Sequence, residues 1–64
     1  MSKTFQPKPT KGEVKAARER AGLTQKESGE VVSVGVRTWQ KWEYGEQPMK
    51  QAIWELYNIK TKRR

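Results

Sequence analysis

Two tetrads of the form Thr-x-x-Glu, Thr10 to Glu13 and Thr24 to Glu27, each open a stretch of helix-forming residues, with Gly22 between them. At this spacing the threonine hydroxyl accepts from the glutamate N–H, and the glutamate carboxylate reaches back to the threonine N–H. Each tetrad fixes a helix start, and the glycine supplies a left-handed stop. This punctuation predicts a first helix from Lys11 to Ala21 and a second from Gln25 to Val32, the latter weakened by Gly29. Ser33-Val34-Gly35 reads as a tight turn. A third helix is expected from Val36 to Tyr44, closed by Gly45. Pro48 precedes a fourth pattern, Met49 to Tyr57, apolar at Met49, Ala52, Ile53 and Leu56. Short helices with short connections describe an all-α fold, a compact four- to five-helix bundle.

With 64 residues the chain can build one small core. It lacks cysteine and histidine, so no disulfide or Cys/His metal site is expected, and no cofactor is predicted. No apolar run approaches the roughly 20 residues that span a bilayer, and Met1–Pro7 lacks a signal-like apolar stretch. A soluble protein of the bacterial cytoplasm or nucleoid is expected, with no membrane partner. Aspartate and a glycine-rich phosphate loop are also missing, and there is no room for a sizeable pocket, so neither an enzyme nor a small-molecule ligand is predicted. Glu13 with Glu19, and Glu27 with Glu30, read as surface and capping residues.

Fourteen Lys and Arg against seven acidic residues give a net charge of +7. Residues 1–22 and 47–64 each carry +4, whereas residues 23–46 carry −1. The basic segments serve either solubility or a polyanionic partner. Pro7 and Pro9 mark residues 1–9 as a flexible arm, residues 10–59 form the domain, and residues 60–64 form a basic tail.

Helical spacing places Val14, Ala17, Arg18 and Ala21 on one face of the first helix. On the third helix Trp39, Trp42 and Glu43 share one side, while Arg37, Lys41 and Tyr44, flanked by Thr38 and Gln40, share the other. Tryptophans paired in this way are core residues. The predicted core is Val14, Leu23, Val32, Trp39, Trp42, Ile53 and Leu56. Arg18 and Glu43 each sit on an apolar face, where an unpaired charge would cost several kcal/mol, so an ion pair between them is expected. Trp54 lies off the Met49–Ile53–Leu56 face. It is either an exposed dimer contact or packed near Phe5 of the arm.

The outward face of the third helix is either an ordinary solvated surface or a groove reader. Arg37 can bond guanine O6 and N7, Gln40 and Lys41 can reach bases or phosphates, and Val36 can meet a thymine methyl. Thr38 and Tyr44 suit phosphate oxygens, and Lys26 and Lys50 are further candidate phosphate contacts.

Leu23-Thr24-Gln25-Lys26-Glu27, followed at a fixed distance by Thr38-Trp39-Gln40-Lys41-Trp42-Glu43-Tyr44-Gly45, resembles the phage-repressor and Cro-type helix-turn-helix family, with which the two halves align without a gap. The resemblance covers residues 11–56 and implies a lambda-repressor-like DNA-binding domain. It implies that Gln25 bonds a DNA phosphate, that Val36, Arg37 and Lys41 read bases, and that Thr38 contacts the backbone. It also implies that Arg18 and Glu43 form a buried pair. Ser28 and Gly29 replace the usual leucine and alanine. Ser33 replaces a usual glycine, at about 1–2 kcal/mol if left-handed, so a re-shaped turn is expected. Gly35 replaces a usual capping hydroxyl residue. The family's fifth helix is missing or reduced, which bears on dimerisation.

The implied function is a sequence-specific transcription regulator, phage-derived in character, that binds double-stranded DNA at a palindromic operator. The expected partner is a second copy, met in solution or only on DNA. The alternative is a helix-turn-helix protein-interaction module, such as an antitoxin-like or co-regulatory subunit. RNA binding is disfavoured, because burial of Trp39 and Trp42 leaves few aromatics for stacking.

Overall fold

Helix punctuation governs the local structure. In the computed structural model, which describes residues 8–62, Thr10 Oγ1 accepts from Glu13 N at 3.1 Å and Glu13 Oε1 accepts from Thr10 N at 2.9 Å. The Thr24–Glu27 box repeats both bonds at 3.1 and 2.9 Å. Among the described residues the chain is entirely helical, with no strand: α1 (Lys11–Ala21), α2 (Gln25–Val31), α3 (Val36–Tyr44) and α4 (Gln51–Lys62). The second helix ends one residue before the expected Val32. Pro9, read from the sequence as part of the arm, is buried. It precedes the Thr10 cap and Val14 lies four residues into the helix, the two positions of a hydrophobic staple, so the packed unit begins earlier than residue 10. Met1–Pro7 and Phe5 with them, together with Arg63 and Arg64, lie outside the described residues.

The third helix packs on both α1 and α2, and α4 closes against α1 and α2. At the centre Trp39 is fully buried, its ring edge-on to Trp42 at 5.6 Å and tilted against Tyr57 at 4.9 Å. Val14, Ala17, Val32, Met49 and Trp54 complete the core, with Val31, Val34 and Ile53 packed at its margin. The radius of gyration, 11.1 Å, is close to the roughly 10–11 Å of a compact chain of this length.

The α2–α3 connection is unusually close. Val34 N donates to Gly29 O at 2.8 Å, and a Cβ on Gly29 would stand 2.8 Å from Val34 O and 3.2 Å from Gly35 O. Gly29, which weakens the isolated helix, is what lets the turn cross here. Ser33 keeps the left-handed conformation, with φ 63°, so the turn is not re-shaped as expected. The serine bears that strain, and its N–H donates to Glu30 O at 3.1 Å. Gly35 caps α3 in extended geometry without a side-chain bond.

The fourth helix departs most from the sequence reading. It begins at Gln51 and runs to Lys62, so Met49 belongs to the preceding non-helical segment and cannot set the helix's phase. Trp54 and Tyr57 are buried and Asn58 and Thr61 half-buried, at the i, i+3, i+4, i+7 spacing of one face. Leu56, expected in the core, is 41% exposed, and Ile53 and Leu23 are only half-buried. Burial of Trp54 removes the reading of it as an exposed dimer contact. Lys60–Lys62, read as the start of a tail, are helical. Asn58 Nδ2 donates to Trp54 O and Thr61 Oγ1 to Tyr57 O, both at 2.8 Å, and Lys60 Nζ donates to Val31 O at 3.1 Å.

Candidate functional site

The two-sided sequence of α3 becomes a two-sided helix. Trp39, Trp42 and Glu43 are buried, while Val36, Arg37, Lys41 and Tyr44 are exposed, Tyr44 by 55%. Thr38 and Gln40 are half-buried at the edge of the outward face. Lys26 on α2 and Lys50 before α4 are exposed. Arg37, Lys41, Lys26 and Lys50 take part in no ion pair; among the described residues the one salt bridge joins Arg18 and Glu43. The outward face therefore carries uncommitted positive charge on a helix whose other side is anchored by two tryptophans.

Beneath that face lies a closed polar network. Arg18 of α1 donates from Nε to Glu43 Oε2 and from Nη2 to Glu43 Oε1 at 3.3 Å, and from Nη1 to Leu23 O at 3.1 Å. Trp39 Nε1 donates to Glu43 Oε2 at 2.6 Å and Gln25 Nε2 to Glu43 Oε1 at 3.2 Å. Burial pushes the Glu43 carboxyl up, but the bonds from Arg18, Trp39 and Gln25 outweigh it and hold the group below its ordinary value. The hydrogen bond to Glu43 raises the Arg18 guanidinium correspondingly, against the effect of its own burial. Both partners stay charged, and every acceptor position of the carboxylate is used.

Gln25 is where the structure adds most to the sequence reading. Its Nε2 also donates to Tyr44 Oη at 3.4 Å, and its Oε1 accepts from Gln40 Nε2 at 3.1 Å. The first residue of α2 is thus wired to the outward face of α3. Single-helix periodicity cannot reveal a bond between helices, and the only available signal was three polar residues, Gln25, Gln40 and Tyr44, on two helices expected to be adjacent. A second missed contact is wholly buried. Ser28 Oγ and Tyr57 Oη lie 2.7 Å apart, tying α2 to α4, and burial pushes the Tyr57 phenol up although the bond to Ser28 works against it.

A groove of about 500 Å3 lies between the C-terminal half of α1 and α4, with Ala17, Ala21 and Trp54 on its floor and Arg20 and Lys62 among its polar lining. Among the described residues there is no cluster of metal-ligating side chains, and no helix is long and apolar enough to cross a membrane.

No family model matches the chain. Its sequence is similar to that of the Type II methyltransferase M.MspI of Moraxella sp., at 37% identity over 49 residues. The match takes in 77% of this chain and only 12% of the methyltransferase, so the chain spans a small fraction of that relative's length.

Proposed function

We propose that this chain is a sequence-specific double-stranded DNA-binding protein of the helix-turn-helix type, a transcription regulator resembling phage repressors and Cro-type proteins. In this reading α2 and α3 form the helix-turn-helix and α3 enters the major groove. The observation that carries it is the outward face of α3, where Arg37 and Lys41 stand exposed and unpaired opposite a buried tryptophan pair. A major groove about 12 Å wide admits such a helix, and an arginine offers the bidentate match to guanine. Val36, Arg37, Gln40 and Lys41 are assigned to bases, and Lys26, Thr38, Tyr44 and Lys50 to phosphates. Two copies on a palindromic operator would place their recognition helices about one helical turn apart.

Similarity to a short part of a Type II methyltransferase fits a small module that also stands within a larger protein. That relative's activity is not carried over, and no chemistry is assigned to this chain. Selection of bound duplexes from random DNA, run in parallel with wild type and Arg37→Ala, tests the reading. Wild type is expected to enrich a defined motif, and the variant to lose preference at one or two of its base pairs. Failure of wild type to enrich any motif would reject DNA recognition in favour of a protein-interaction module.

A further inference from the structure

The bonds around Glu43 run outward from the core, and their polarity is set at the inner end. An ionised carboxylate only accepts. Glu43 Oε1, already bonded to Arg18, therefore requires the NH2 of Gln25 and not its carbonyl oxygen. The other N–H of that nitrogen is directed to Tyr44 Oη, and Gln25 Oε1 is left to accept from Gln40 Nε2. The Gln25 side chain then has no donor remaining for a phosphate oxygen, which also only accepts. Tyr44, accepting from Gln25, keeps its own hydroxyl proton for an outward partner, and it is 55% exposed. Gln40, with one N–H committed to Gln25, keeps its Oε1 and one N–H. That remaining pair matches the N6–H donor and N7 acceptor of adenine.

We propose that Arg18, Glu43 and Gln25 form a polarity relay that presents Tyr44 as a hydrogen-bond donor to phosphate and Gln40 as a reader of adenine. The Gln25 side chain then acts as a positioning group and does not itself bond phosphate. The proposal rests on the DNA-binding reading of α3, and it differs from the direct phosphate contact that the family resemblance implies for Gln25. A buried charge fixes which way two amides and a hydroxyl point, so the surface is pre-organised before any ligand arrives.

The test has two arms. In the first, side-chain amide NMR of the 15N-labelled chain without DNA reads the relay itself. Gln25 and Gln40 should each show two well-separated, exchange-slowed amide protons, and Gln25→Leu should return the Gln40 pair to free-glutamine values. Gln40 protons already at those values in the wild-type chain would overturn the relay. In the second, affinity is measured for a duplex selected from random DNA by the wild-type chain. Tyr44→Phe should weaken binding about fivefold, the size of one hydrogen bond, yet less than twofold in a Gln25→Leu background. Equal losses in both backgrounds would overturn it. Gln25→Met serves as the second background if Gln25→Leu fails to give a cooperative melt. A wild-type chain that retains no duplex rejects the DNA reading and the relay's use with it, while the first arm still decides whether the relay exists.

Discussion

Glu43 is the residue on which most of the structure converges, since it joins α1, α2 and α3 through Arg18, Gln25 and Trp39. Its carboxylate is almost wholly enclosed, with 3% of the side chain accessible, and Arg18 retains only 17%. Removing one member of such a pair strands the other, at a cost of about 3–5 kcal/mol. Glu43→Ala is therefore expected to leave much of the chain unfolded at 25 °C, because a domain of this size has a total stability of about 3–10 kcal/mol. Circular dichroism melts of the variant check this, and a melting temperature within two degrees of wild type would contradict it. The sign of the pH effect follows from the depressed Glu43 value. The folded state binds that proton less readily than the unfolded chain, whose carboxylates titrate at about 4.3. The stabilisation is complete above that unfolded value and is lost as pH falls through the lower folded one. Wild-type stability should decline with acid through this window, and Glu43→Gln, less stable at neutral pH, should show a flatter acid limb in urea titrations.

At the scale of elements, the first three helices were legible because each carries its own boundaries in the sequence. Thr10, Gly22, Thr24 and Gly45 are local signals, and the structure ends or begins a helix at each of them. The fourth helix has no such signals. Without a capping residue its phase in the sequence rests on Met49, which lies outside it, and that phase puts Leu56 inside where Trp54 and Tyr57 belong. Gly29 and Ser33 were visible as oddities, but their meaning depends on the distance between α2 and the turn, which no periodicity encodes. That distance yields two opposed predictions. Gly29→Ala should gain up to about 1 kcal/mol of helix propensity. It should lose more to the backbone oxygen 2.8 Å away, with a net destabilisation of about 1–3 kcal/mol. Ser33→Gly relieves a left-handed serine and should stabilise by about 1 kcal/mol. Urea midpoints at unchanged slope decide both, and a Gly29→Ala chain as stable as wild type would show that the turn can move away at no cost.

For the molecule as a whole, the open question is how many copies act together, and charge and exposed apolar area bear on it jointly. The exposed large apolar side chains among the described residues are Val36, Tyr44, Leu56 and Ile59, and the first two belong to the face assigned to DNA. Leu56 and Ile59 alone fall far short of the roughly 800 Å2 per partner that a stable interface needs. The chain is therefore expected to sediment as a monomer without DNA and to pair only on an operator. Salt dependence supplies the count. Each neutralised phosphate contributes about −0.9 to the slope of log affinity against log salt, so the two lysines assigned to phosphate, Lys26 and Lys50, give about −1.8 per chain. Raising salt from 50 to 200 mM should then weaken one bound chain about 12-fold, but the joint binding of two copies by about 150-fold. Titrating an isolated half-site and the full palindrome through the same salt series separates the two cases. A slope that doubles from half-site to palindrome, with a monomer in solution, fixes assembly on DNA. A slope near zero on both would mean that the basic face is not used for phosphate at all.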